Sequence, residues 1–248
     1  MSAVRASESA ALLPVEETVR YLLRALPPPP LRVLEVGAGN GEAAVALAGH
    51  GYEVTALDES FDPPAGAAPN VRWIETDFLA FHGEGAYDAV VFTRSLHHLT
   101  PLDRALDRAL EALRPGALLV AEEFAVDRVN HPTARWFYDL ESVLVAAGVL
   151  EPEEASGAEG NPLGRWRREH AHEPPLATGH ALLAAARERF ELSPVEEAPY
   201  LYRYFCERLG AGERGRRTAE RLLALETRLI RERDLAAAGL RFTGTAPS

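Results

Sequence analysis

The run Val33-Leu34-Glu35-Val36-Gly37-Ala38-Gly39-Asn40-Gly41 constrains this chain more than any other stretch. An apolar segment of strand length leads straight into three alternating glycines and then into a helical segment, Glu42–His50. Glycine tolerates left-handed backbone and lets another group lie against bare main chain. A helix N-terminus opening at the same point aims backbone donors at whatever sits there. A strand that is apolar on both faces must be covered on both faces, which is the condition of a parallel sheet flanked by helices. In open sheets of that kind ligands bind beyond the carboxyl ends of the strands, so this turn is the expected ligand position.

The rest of the chain extends the pattern. Val15, Val19, Leu22, Leu23 and Leu26 recur at helical spacing, with Pro14 in a first turn and Pro27–Pro30 ending the run. Strand-length apolar runs then alternate with helices: Leu31–Val36, Glu53–Leu57, Val71–Ile74, Tyr87–Phe92 and Ala117–Glu122, with a helix over Leu102–Leu113. Thr100-Pro101 reads as an N-cap and first-turn proline, and Arg114-Pro115-Gly116 as the close of that helix. After about Ala125 the alternation breaks into some fifty residues rich in His, Pro, Arg and aromatics, with one helix expected over Thr133–Ala147. A helix at Thr178–Phe190, a strand near Leu192–Glu197, a charged helix near Glu213–Asp234 and a strand near Leu240–Thr245 complete the reading.

Composition narrows the class of partner. The 248 residues carry 26 basic and 37 acidic side chains, a net charge of −11, and every basic one is arginine. Affinity for a nucleic-acid backbone rests on clustered cations, so a polyanion is a poor match and a small molecule a better one. Between Arg203 and Asp234 the net charge is +3, but Arg216–Glu220 and Arg228–Glu232 are i,i+4 pairs suited to a solvated face. That helix is read as a surface element and a candidate homodimer contact. The single cysteine, Cys206, has no internal disulfide partner, and the sequence shows no secretory leader and no apolar stretch near the ~20 residues of a membrane span. A cytoplasmic protein without membrane or nucleic-acid partners is therefore expected.

Two ligand chemistries compete at the glycine turn. A dinucleotide fingerprint fails from Gly37 but is formally met by Gly39, Gly41 and Ala44. The residues around it favour another reading. Glu35 precedes Gly37, Gly39 and Gly41; Asp58 closes Thr55-Ala56-Leu57-Asp58; Asp77 follows the third strand in Glu75-Thr76-Asp77-Phe78; Tyr87–Phe92 leads into Thr93-Arg94-Ser95-Leu96-His97-His98-Leu99; and Leu113-Arg114-Pro115-Gly116-Ala117 precedes the fifth strand. Over about Pro14–Glu123 the chain resembles the class I S-adenosylmethionine-dependent methyltransferases of small-molecule type.

That resemblance implies a Rossmann-like doubly wound α/β fold. Its seven-stranded sheet would be mostly parallel with an antiparallel last strand, and a helical lid would be inserted after the fifth. It implies one methyltransferase domain over residues 1–248, with residues 127–178 as lid and acceptor-recognition insertion. S-adenosylmethionine is the implied cofactor, held by Glu35, Gly37, Gly39, Gly41, Asp58 (ribose), Asp77 (adenine amine), Phe78 and Thr93. The chemistry agrees: carboxylates suit a diol and an amine, and this cofactor carries no phosphate. A nicotinamide oxidoreductase and a noncatalytic cofactor-binding regulator are the rivals.

Methyl transfer from a sulfonium needs a general base only where the acceptor is protonated in its ground state. His97 and His98, just past the fourth strand, are the candidates for that role, because imidazole is the side chain suited by type to exchange a proton near neutral pH. Glu122 and Glu123 end the fifth strand; alternation suggests that one faces the ligand edge, and Glu122 is taken as acceptor-binding, with an ion pair to Arg128 or Arg135 as the alternative use of these acids. In the insertion Tyr138, Trp166 and His170 are the acceptor-binding candidates, by stacking or exclusion of water. A metal site from His170, His172 and His180 lacks a supporting carboxylate pattern, so no metal is expected.

Overall fold

The computed structural model describes residues 9–61, 70–83, 85–151 and 161–248. It divides into two compact units. The sheet unit comprises Glu17–Ala125, Pro174–Glu196 and Leu240–Ser248; the helical unit comprises Met1–Glu16, Val126–Glu173 and Glu197–Gly239. No helix among the described residues is long and apolar enough to cross a membrane.

Helix α1 (Leu13–Ala25) precedes the alternating elements β1 (Arg32–Val36), α2 (Glu42–Gly49), β2 (Glu53–Asp58), β3 (Val71–Glu75), β4 (Tyr87–Thr93), α3 (Leu102–Ala112) and β5 (Leu113–Phe124). Helix α4 (His131–Ala146), α5 (Pro162–Glu169), α6 (Gly179–Arg187), β6 (Glu191–Leu192), β7 (Glu196–Ala198), α7 (Arg203–Cys206), α8 (Glu213–Arg231) and β8 (Gly239–Thr245) follow. The sheet runs β3-β2-β1-β4-β5-β8-β6, with short β7 pairing β8 off that path as an eighth strand. Strands β1 to β5 pair in parallel, and β6 pairs β8 antiparallel through Glu191↔Thr245. The doubly wound α/β expectation holds, with its reversal of strand order between β1 and β4.

The core explains why these residues make these elements. Leu34, Val36, Val90, Phe92, Leu119 and Ala121 are wholly buried, and α3 covers them with Ala105, Leu106, Ala109 and Ala112 at helical spacing. Each large apolar side chain so buried stabilises the unit by about 1.5–3 kcal/mol. Helix α6 adds Leu182, Leu183 and Ala186 to the same core.

Several boundaries differ from the sequence reading. Pro101 is itself the N-cap of α3, with extended backbone and no side-chain cap, because its φ and ψ of −75° and 136° are not helical. Arg114-Pro115-Gly116 belongs to β5, not to a separate turn. The pairing shifts irregularly between Tyr87↔Leu113 and Ala89↔Leu118, and Gly116 takes a φ of 73° within that bulge. The expected strand near Leu192–Glu197 is two short strands, β6 and β7. Helix α5 was missed although Asn161-Pro162 is an N-cap followed by an N1 proline, the Asn161 side chain accepting from Leu163 N–H at 3.1 Å.

The helical unit has an aromatic centre. Phe137 meets Trp166, Tyr204 and Phe205 at ring distances of 5.4, 5.6 and 5.0 Å. Of the expected insertion 127–178, residues 127–173 belong to this unit, together with 197–239, and residues 152–160 lie outside the described residues.

Candidate active site

The glycine turn is built into the sheet by hydrogen bonds from four of its backbone donors. Gly37 and Ala38 N–H both donate to Leu57 C=O, at 2.8 and 3.1 Å, and Gly41 N–H donates to Ala38 C=O at 2.8 Å. Gly39 N–H donates to Asp58 Oδ2 at 2.7 Å. Gly37, Gly39 and Gly41 have φ values of 67°, 55° and 72°, in the left-handed region that favours glycine. At Gly37 a Cβ would overlap the Ser95 side chain, and at Gly41 the Trp73 ring. The Ser95 hydroxyl donates to Val36 C=O, so the ends of β1 and β4 are fastened together.

Beside this turn lies a cavity of about 410 Å³, inside the range of roughly 300–1,000 Å³ usual for small-molecule sites. Its walls come from the carboxyl ends of four strands: Val36 and Gly37, Leu57 to Glu59, Thr76 and Phe78, and Arg94, Ser95, His98 and Leu99. It sits where the strand order reverses, the position at which open α/β sheets bind ligands. Phe78 is 2% exposed and packs edge-on against Phe92, which makes that wall rigid and apolar.

The expected cofactor residues divide into walls and supports. Gly37, Asp58 and Phe78 line the cavity. Glu35 is buried, accepts from the Thr93 hydroxyl at 3.1 Å through Oε1, and has no hydrogen-bond partner for Oε2 among the described residues. Burial pushes its carboxyl up to about 7, against the lowering effects of the Thr93 hydrogen bond and of the Arg94 charge. Asp77 does not line the cavity; it N-caps the short 3-10 helix Phe78–Ala80, accepting from Leu79 N–H at 2.8 Å.

The two histidines separate. His97 is 3% exposed, with Nδ1 2.5 Å from Glu123 Oε2. Glu123, wholly buried, also accepts from the backbone N–H groups of Ser95, Leu96 and His97 at 3.3, 3.0 and 3.4 Å. It thereby fixes the loop after β4, a role its sequence position did not reveal. His98 is exposed, lies 4.2 Å ring to ring from His97, and forms part of the cavity wall.

The acceptor-binding expectations meet other partners. Glu122 is buried and does not line the cavity; Arg241 binds it with Nε at 2.8 Å and Nη2 at 2.6 Å, and the Thr18 hydroxyl donates to it. Arg128, offered by the sequence as a partner for these acids, pairs with Glu197 instead, at 2.9 Å. Tyr138 donates to Glu169 at 2.5 Å beneath the Arg165 guanidinium. Trp166 is buried and stacked 3.8 Å from His170, whose Nε2 meets the Tyr204 hydroxyl at 2.8 Å. All three take part in the packing of the helical unit.

The donor set favours one of the two ligand chemistries. A pyrophosphate draws on free backbone N–H groups at such a turn, whereas here those of Gly37, Ala38 and Gly41 are engaged within the turn and sheet and Asp58 occupies the one at Gly39. A carboxylate beside an apolar wall suits a ribose diol and an adenine. The sequence model of the family described as methyltransferase domain matches residues 11–173.

The chain belongs to the methyltransferase-domain family, within the class I S-adenosylmethionine-dependent methyltransferases.

A demethylmenaquinone methyltransferase of Renibacterium salmoninarum is 32% identical over 109 residues, 42% of this chain and 44% of that protein. The chain thus spans less than half the length of this relative. The crystal structure of 1,6-didemethyltoxoflavin-N1-methyltransferase from Burkholderia thailandensis, with its acceptor and S-adenosylhomocysteine bound, aligns at a TM-score of 0.51 and 18% identity, covering 98% of this chain and 80% of that one. The cyclase SpnF aligns at 0.56 and 18% identity, over 94% of this chain and 80% of its own. Likenesses of that level establish the fold.

Proposed function

We propose that this methyltransferase moves the methyl group of S-adenosylmethionine to an oxygen or nitrogen of a small-molecule acceptor. The observation that carries the reading is Asp58 on the Gly39 N–H at the edge of the cavity, which fits a diol and opposes a phosphate. Asp58 would take the ribose hydroxyls, Phe78, Leu57 and Leu99 the adenine, and the Gly37 backbone the tail. Bound there, S-adenosylmethionine supplies a methyl group on a positively charged, already activated leaving group. The chain's own contribution is then largely orientation, worth up to about 7–11 kcal/mol where reacting atoms are held in line.

For an acceptor protonated in its ground state, His98 is the group placed to take the proton, since it lies on the cavity wall. His97 positions it from behind, held by Glu123. The small acceptor accords with a net charge of −11, which disfavours a nucleic acid. Calorimetry with S-adenosylhomocysteine and with NAD tests the cofactor half of the reading. Heat from the first and none from the second is expected; NAD binding with no response to S-adenosylhomocysteine would overturn it.

A further inference from the structure

A second cavity, of about 940 Å³, opens within the helical unit and shares no lining residue with the one beside the glycine turn. Its walls are the approach to α4, the last turn of α8 and the loop that follows α8. The charges around it do not cancel. Arg128 is satisfied by Glu197 at 2.9 Å. Arg231 and Arg233 line the same cavity, with Asp234 as the one remaining acid of the wall. Neither guanidinium makes a hydrogen bond or ion pair among the described residues, and Glu232 between them in sequence is taken by Arg228 at 3.0 Å. Asn130 accepts Thr133 N–H through Oδ1 at 3.0 Å, so its amide nitrogen is a further donor at this wall. Pro199, Ile230 and Ala237 set an apolar surface beside these donors.

Arg233 stands where the backbone favours glycine. Its φ of 65° is left-handed, which only two non-glycine residues share among the described residues. Helix α8 ends there in a Schellman turn: Arg233 N–H donates to Ile230 C=O at 3.0 Å and Asp234 N–H to Leu229 C=O at 2.9 Å. The residue at that position is usually glycine, because a Cβ is strained there. An arginine kept at such a point, with its guanidinium unpaired on a cavity wall, sacrifices local stability for a charge at that place. Planar guanidinium groups bind carboxylates and phosphates through paired N–H donors. Two of them exceed the single charge of Asp234, so the cavity suits an anion with a carbon frame.

We propose that this cavity is a second ligand site, for a small organic anion. A carboxylate or phosphate monoester group would lie between Arg231 and Arg233, with its carbon frame on Pro199, Ile230 and Ala237. The inference is independent of the cofactor reading above. Ligand-observed NMR titrations of the full chain with phenyl phosphate, benzoate and neutral benzyl alcohol test it. Saturable binding of an anion and none of the alcohol is expected, and the stronger of the two anions tells a phosphate site from a carboxylate site. Hydrogen bonds to charged groups correspond to about 10- to 100-fold in affinity. Arg231→Ala and Arg233→Gly should each weaken the anion by about tenfold or more. Glycine adopts the backbone of Arg233 without strain, so Arg233→Gly should unfold thermally at or above the temperature of wild type while losing the ligand. Absence of anion binding to wild type, equal binding of benzyl alcohol, or unchanged affinity in either variant would overturn the proposal. So would a lower unfolding temperature in Arg233→Gly, which would make Arg233 a structural cap.

Discussion

Glu35 makes the stability of the folded chain depend on pH in a direction opposite to that of most surface acids. It is 1% exposed, its Oε2 has no partner among the described residues, and burial raises its carboxyl to about 7, against 4.5 as the ordinary value. Below pH 4.5 the group is protonated in both folded and unfolded chains and its pH-linked contribution is fully present. Between pH 4.5 and 7 the folded chain holds a proton that the unfolded chain has lost, so stability falls as pH rises through that window. At about 1.36 kcal/mol per unit, the loss at pH 8 is about 3 kcal/mol. Glu35→Gln removes the titration while keeping shape and the Thr93 hydrogen bond. Urea unfolding of both proteins without cofactor, from pH 4.5 to 8, should show the variant gaining about 3 kcal/mol on wild type over that interval. Parallel curves across the range would refute the argument, since they would mean that Glu35 ionises alike in both states.

The glycine turn predicts unequal costs at neighbouring positions. Gly37→Ala should destabilise by about 2–4 kcal/mol, from left-handed strain plus overlap with Ser95, whereas Gly39→Ala, with nothing within 4 Å of its Cβ, should cost only about 1 kcal/mol; chemical denaturation of the two variants compares them. Asp58→Ala should keep the fold by circular dichroism and lose at least about tenfold in affinity for S-adenosylhomocysteine by calorimetry, and unchanged affinity would show the ribose contact to be misplaced. Glu226, 1% exposed, accepts the N–H groups of Tyr200, Leu201 and Tyr202 at 2.8, 2.9 and 2.8 Å. Glu226→Ala should therefore cost about 3 kcal/mol in urea unfolding, with a smaller loss in Glu226→Gln, which retains an acceptor oxygen.

What was legible in the sequence was local. The β1 strand, the glycine turn and α2 announce themselves because backbone conformation, apolar runs and helix start are all decided within about ten residues, and the structure places them as read. The i,i+4 pairs Arg216–Glu220 and Arg228–Glu232 form at 2.8 and 3.0 Å for the same reason. The buried glutamates were not legible. Glu123 binds the loop 26 to 28 residues upstream and Glu226 a segment 24 to 26 residues upstream, so nothing next to either acid marks it as a backbone acceptor. Glu122 finds Arg241 at a separation of 119 residues. Tyr138, Trp166 and His170 look like a recognition surface in sequence because aromatic and imidazole rings serve packing and binding alike; only Phe137, Tyr204 and Glu169 around them reveal the packing. Asp77 also caps Leu79 N–H, a local use that its acidic signature does not by itself distinguish from ligand binding.

Transfer of labelled methyl from S-adenosylmethionine into a small-molecule extract, followed by mass analysis, tests the central claim most directly. The account predicts label in a low-molecular-weight product, with formation of S-adenosylhomocysteine and loss of both on Asp58→Ala. Binding of S-adenosylhomocysteine without any labelled product, or label recovered only in protein or nucleic acid, would contradict it.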